Sequence, residues 1–150
     1  MYKIPISTLV VIYTHDLQVL LLERTDHPGY WQSVTGSQDA GETLRETAIR
    51  EVYEETGLDA MRYPLTDWAK QNVYDIYPIW LHRYPPGTTH NTEHVFSLSL
   101  PDKLPIIVSP REHLGFIWLP WKEAAEKCFS SSNRDAILEL PQRLPAAVNK

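Results

Sequence analysis

Three glutamates, Glu51, Glu54 and Glu55, lie within five consecutive residues in a stretch of good helix formers. Successive helical residues are ~100° apart around the axis, so these three carboxylates share one face of a helix. Like charges at this spacing destabilise a helix by roughly 0.2–0.5 kcal/mol per pair. Arg50, four residues before Glu54, is the one obvious local counter-charge. Mg²⁺ would neutralise the remainder, because this ion takes oxygen ligands and prefers one or two carboxylates together with substrate phosphate oxygens. The plain alternative is a solvated helix face, the commoner fate of a Glu-rich helix taken alone.

The elements that must position this face can be read along the chain. Ile4 to Tyr13 and Val19 to Leu22 are rich in β-branched and apolar residues and predict two strands, separated by a turn at His15-Asp16. Trp31 to Thr35 predicts a short third strand that ends at Gly36, followed by the polar stretch Ser37 to Gly41. Glu42 to Thr56 predicts a helix with Leu44, Ala48, Ile49 and Val52 as its buried stripe and Gly57 as its left-handed stop. Val73 to Leu81 and His94 to Leu100 predict two further strands, joined by the Pro- and Gly-rich stretch Arg83 to Thr89 as a long hairpin or a loop over a site. Gly115 to Leu119 adds another strand, Pro120 opens a short helix Trp121 to Cys128, and Ser132 is expected to cap a last helix, Arg134 to Leu140. Strands and helices alternate without repeats or linkers, which predicts an α+β fold, a mixed sheet covered by helices on both faces as an α/β/α sandwich.

Length and composition bound the reading. The 150 residues fit one domain spanning 1–150 with one core. Hydrophobic residues at 43% and five Trp argue against disorder, and the apolar run Leu9 to Tyr13 is too short to cross a membrane. No signal peptide is read, and the single cysteine, Cys128, can form neither an internal disulfide nor a Cys-based zinc cage, so a soluble protein of the cytoplasm is expected. A formal charge of −5 gives no bulk attraction to nucleic acid.

Gly36, five residues, Glu42, seven residues, then Arg50-Glu51-Val52-Tyr53-Glu54-Glu55-Thr56-Gly57-Leu58 meets all nine defined positions of a 23-residue pattern. In this it resembles the Nudix box, G-x5-E-x7-R-E-U-x-E-E-x-G-U with U aliphatic. The resemblance implies the Nudix fold, with the box as a loop-helix-loop, and a hydrolase that uses Mg²⁺, or Mn²⁺ in its place, on a nucleoside-diphosphate-like group linked to another moiety. It implies Glu51 and Glu55 as metal ligands, Glu54 as a further ligand or proton acceptor, and Arg50 as the residue that orients a glutamate. Gly36 and Gly57 would permit tight backbone paths, and Glu42 is read as a helix-start residue before a ligand. A metal in such a place withdraws charge from phosphate and acidifies water.

Beyond the box, Tyr30 to Ser37, His82 to Gly87, Asn91-Thr92-Glu93 and Ser132-Asn133-Arg134 resemble the folate-pathway branch of that family. The resemblance runs nearly end to end and implies removal of pyrophosphate from dihydroneopterin triphosphate to leave dihydroneopterin monophosphate. It implies Lys3, Arg24, Thr35 and Ser132 as substrate contacts and Glu112 as a metal-binding glutamate outside the box that is also a candidate base. Taken singly, Lys3 reads as a solvated end residue and Ser132 as a helix cap.

Tyr30, Trp31, Trp68, Tyr74, Tyr77 and Trp80 could stack on a flat ring, although core packing is expected for most of them. His90 to His94 spells H-x-x-E-H, a zinc-peptidase pattern that requires a helix. The alternation that follows it predicts a strand instead, which holds the two histidines roughly 13 Å apart, too far to share one zinc. Two other readings are a (deoxy)nucleoside triphosphate pyrophosphatase, which the box does not separate from a pterin enzyme, and a non-catalytic ligand-binding module, which would not need all four box glutamates.

Overall fold

The computed structural model describes residues 1–144, so the last six residues of the expected 1–150 domain lie outside it. Its centre is strand β1, Ile6–Thr14, which is buried over nearly its whole length because both faces are covered. Even-numbered Val10 and Ile12 join one apolar core, and odd-numbered Leu9, Val11 and Tyr13 join another. A turn with Leu17 at φ 60° leads into β2, Gln18–Arg24. The expected third strand is two pieces: β3, Trp31–Gln32, pairs with β2, and β4, Val34–Ser37, pairs with β1. The break arises because β1 and β2 meet only near their turn and then diverge, with β4 taking the place beside β1.

Helix α1, Leu44–Thr56, begins two residues later than expected, at a capping box in which Thr43 and Glu46 satisfy each other's backbone N–H groups. Gly57 ends it at φ 77°, as expected for a left-handed stop. Ala48 and Val52 bury its apolar stripe in the first core, flanked by the partly buried Leu44 and Ile49.

The next strand differs from expectation at both ends. β5 runs Leu65–Asp75, eight residues ahead of the expected start, and Pro78–Arg83 is a 3-10 helix instead of its continuation. A bulge between Asp67 and Gln71, with Ala69 at φ 53°, interrupts the alternation that would mark the early part as strand. Pro78 fixes its own φ and starts the 3-10 turn. β6, His90–Leu100, pairs antiparallel with β5 and parallel with β1. His90, Glu93 and His94 thus lie on a strand, as expected, which removes the zinc-peptidase reading.

β7, His113–Pro120, pairs with β2, and Pro120 leads into α2, Trp121–Lys127. The last helix, α3, Ser131–Glu139, starts three residues earlier than expected. Its cap is Ser130, whose hydroxyl accepts from the Asn133 N–H at 3.1 Å, so Ser132 sits inside the first turn. α1 covers one face of the sheet, while α2 and α3 cover the other. The result is the mixed sheet between helical layers that the sequence predicts.

Candidate active site

Glu51 and Glu55 lie one helical turn apart on α1, both buried, with Glu55 at 1% exposure. β4 is packed so closely on this turn that a Cβ on Gly36 would overlap the Glu51 carboxylate. Burial and the neighbouring Glu51 carboxylate push the Glu55 pKa well above the usual range, and burial also raises that of Glu51 against the pull of Arg50. Neither Glu55 oxygen accepts a hydrogen bond of regular geometry. Such a buried acidic pair costs free energy until a cation or a shared proton satisfies it.

Arg50 meets only part of that demand. Its guanidinium donates to Glu42 at 2.7 and 3.0 Å, to Glu51 at 2.7 Å, to Glu54 at 3.2 Å and to the Ser37 carbonyl at 3.0 Å. Glu42 stands just before the helix cap and also accepts from the Asp39 N–H and the Thr47 hydroxyl. The Arg50 hydrogen bonds hold the Glu42 carboxyl down at about 2, against its burial. Glu42 therefore acts as a clamp on Arg50, and Arg50 fixes the Glu51 carboxylate.

The other wall is the loop ahead of β7. The Thr25 N–H donates to the Glu112 carbonyl at 2.9 Å, tying that loop to the end of β2. Ligand atoms of Glu55, Glu112 and His113 lie within 4.8 Å of one another. Burial lowers the His113 pKa to about 4, so its ring is neutral at pH 7 and able to lend a lone pair. The donor set is rich in carboxylate oxygen and carries two orphaned buried oxygens, a combination suited to a hard divalent cation.

Glu51, Glu54 and Glu112 line one wide groove, which opens into a second cavity through shared walls that include Lys3, Arg24, Thr35 and Arg83. Three cations therefore crowd the neck between the two spaces. The Lys3 N–H donates to the Arg83 carbonyl at 2.8 Å, and burial and the charge of Arg83 lower the Lys3 pKa. Asp26 pins the two arginines, at 2.7 Å from Arg24 and 3.0 Å from Arg83, and its hydrogen bond to Arg24 holds its own carboxyl far below the usual range. Arg24 also lies over the Trp80 ring at 4.3 Å.

The second cavity is aromatic. Tyr77 and Trp80 stack with ring centroids 5.2 Å apart, and Phe129 meets both edge-on at 5.9 and 6.0 Å. A bridge between Trp31 and Cys128 and the Phe129 N–H bond to the Trp31 carbonyl hold Phe129 there. Ser132 lines the same cavity, set by Asn133, which bonds the Ser33 backbone at 2.7 Å and the Ser33 hydroxyl at 2.9 Å. Of the six aromatic candidates, Tyr74, Tyr77 and Trp80 line this cavity. Trp68 is core, with its indole N–H on Ser97 at 2.9 Å, Trp31 packs on the second core, and Tyr30 stacks between His27 and Phe129.

The structure thus brings Glu51, Glu54, Glu55, Glu112 and Arg50 together, and sets Lys3, Arg24, Thr35 and Ser132 along the adjoining space. Sequence reasoning missed Asp26, Arg83, His113 and Phe129. Arg83 in its Pro-rich loop and His113 beside Glu112 carried a signal; Asp26 and Phe129 had none.

The chain is 46% identical to dihydroneopterin triphosphate diphosphatase of Escherichia coli K12 over 91% of each chain, and 41% identical to that of Haemophilus influenzae over 91% of this chain and 87% of the relative. The solved E. coli dihydroneopterin triphosphate pyrophosphohydrolase superposes with a TM-score of 0.89 at 44% identity, covering 96% of this chain and 99% of that one. The NUDIX domain model matches residues 3–140. With a fold, an acidic helix and relatives that agree along nearly the whole chain, this protein belongs to the NUDIX family of hydrolases.

Proposed function

We propose that this chain hydrolyses dihydroneopterin triphosphate to dihydroneopterin monophosphate and pyrophosphate, with Mg²⁺ as its preferred ion and Mn²⁺ as a substitute, in the cytoplasm. The observation that carries this reading is the continuity of an aromatic cavity, a cationic neck and an acidic groove. Such a series suits a ligand with a flat ring at one end and a triphosphate at the other. The two similar bacterial enzymes that act on this compound support the choice of substrate.

Glu51, Glu55 and Glu112 are the residues that would hold the cation, which when bound withdraws charge from the phosphates and acidifies a nearby water. Arg50 keeps the Glu51 carboxylate aimed into the groove. Lys3 and Arg24 grip the phosphates, and the hydroxyls of Thr35 and Ser132 donate to the ligand along the way. A carboxylate oxygen of Glu54, half exposed at the groove, or of Glu112 takes the proton of the attacking water. His113, neutral and buried, packs beside Glu55 at 3.6 Å.

The test is kcat/KM for pyrophosphate release with Mg²⁺, measured on dihydroneopterin triphosphate and on a panel of deoxynucleoside triphosphates. The pterin compound is expected to lead by at least about tenfold, the effect of one good additional polar contact. A deoxynucleotide preferred by a hundredfold overturns the substrate and leaves the hydrolase.

A further inference from the structure

The lining of the aromatic cavity contains two buried acceptors that the reaction just described does not use. Asn91 and Glu93 point to the same face of β6, two residues apart, at 1% and 4% exposure. Parallel pairing sets Ser7 of β1 beside Glu93, and antiparallel pairing sets Tyr74 and Asn72 of β5 opposite Asn91 and Glu93. The Asn91 amide nitrogen donates to the Ser7 hydroxyl at 2.7 Å and to the Tyr74 hydroxyl at 3.0 Å. This fixes the amide and leaves its oxygen without a donor. One Glu93 oxygen is likewise buried without a partner, while the side chains of Ser132 and Asn72 hydrogen-bond to the same carboxylate.

Orphaned buried acceptors are uncommon because each forfeits its bonds to water. Two in the lining of one cavity, beside the rings of Tyr77, Trp80 and Phe129, call for donors on an aromatic ligand. No cationic side chain lies within ion-pairing distance of Glu93 among the described residues. A ring N–H beside an exocyclic amino group matches the two oxygens of a carboxylate, as an arginine fork does. Fused 2-amino-4-oxo pyrimidines, the pterins and guanine, carry that edge. Adenine presents a bare ring nitrogen beside its amino group, so a lone pair would face the carboxylate.

We propose that Glu93, assisted by Asn91, is the specificity-determining residue that reads the N–H and amino edge of the bound heterocycle. The inference rests on the aromatic cavity being the ring site of the proposed reaction. It extends to any triphosphate whose base carries the 2-amino-4-oxo edge, and makes Glu93 a binding residue with no part in the chemical step.

The experiment compares dGTP with dITP, which differ only in the 2-amino group, in the wild-type protein and in Glu93→Gln. Loss of a hydrogen bond to a charged group should cost the wild type about tenfold to a hundredfold in kcat/KM on passing from dGTP to dITP, seen in KM more than in kcat. In Glu93→Gln that ratio should shrink to within about threefold. An equal ratio in the two proteins overturns the proposal, and so does a wild-type ratio near one, which requires no variant to fold. Binding of neopterin, which has no phosphate, is followed in parallel by tryptophan fluorescence in EDTA. Glu93→Gln should weaken it at least about tenfold; unchanged affinity overturns the proposal even if no triphosphate is hydrolysed. Should wild type prefer dGTP to the pterin triphosphate, the substrate reading falls while the dGTP to dITP ratio still decides the role of Glu93.

Discussion

Gly36 and Glu51 occupy one space: the strand approaches the helix so closely that a methyl group on the glycine would sit on the glutamate carboxylate. Gly36 has no left-handed φ, so an alanine there meets no backbone strain and only the end of one side chain must move. Gly36→Ala should therefore leave the melting temperature within a few degrees of wild type while lowering kcat by about a hundredfold or more, the scale on which misplacement of a catalytic group acts. Thermal unfolding and steady-state kinetics on one preparation check it. A fully active variant would show that the position of Glu51 is not critical.

Divalent cations should stabilise the protein through the same acidic pair. Adding Mg²⁺ to EDTA-treated protein is expected to raise the melting temperature in proportion to the logarithm of its concentration. Glu55→Gln removes one of two crowded buried charges, so the metal-free variant should be at least as stable as wild type, yet show little rise with Mg²⁺ and a kcat lower by orders of magnitude. Differential scanning calorimetry with and without the ion separates the two effects.

Glu42 predicts an acid limb. Its folded pKa, about 2, lies below the 4.5 of the free side chain, so folding favours its ionised form. The stability it contributes is present in full above pH 4.5 and is lost as pH falls from there towards 2. Allowing for the partly exposed Arg50 partner, the contribution is on the order of 1–3 kcal/mol. Glu42→Gln should be less stable than wild type at pH 7 by that amount, and the difference should vanish near pH 2. Urea titrations across that range measure it.

Trp80 should matter for binding and not for chemistry. Removing its ring in Trp80→Ala deletes both the stacking surface and the platform beneath Arg24. KM for the pterin triphosphate should rise about tenfold to a hundredfold with kcat little changed, since base–aromatic stacking is worth about 1–3 kcal/mol. A variant with unchanged KM would place the ring elsewhere.

Much of the acidic centre was legible because it is local: Glu51, Glu54 and Glu55 share a helix face by spacing alone. The sandwich was legible too, since β1 is apolar on both sides and must be covered twice. The start of β5 was not, because the bulge at Asp67 to Gln71 breaks the alternation that betrays a strand. The ring cavity was not legible either. Asn91 and Glu93 become part of its lining only through the pairing of β6 with β1 and β5, and Phe129 becomes its wall only through the bridge from Trp31 to Cys128. Ser130 and Ser132 are indistinguishable as caps by residue type, and the choice is made where Asn133 locks onto Ser33.

The acid groups and the ring slot come from different parts of the scaffold. Glu51 and Glu55 ride on α1 and Glu112 on the loop before β7, whereas the slot is made by β6, the 3-10 turn Pro78–Arg83 and the start of α3. Exchanging the second group of segments would redirect the enzyme to another base without disturbing the machinery that cuts phosphate. One architecture can in this way supply a repertoire of hydrolases, each new member needing edits only at the far end of the channel.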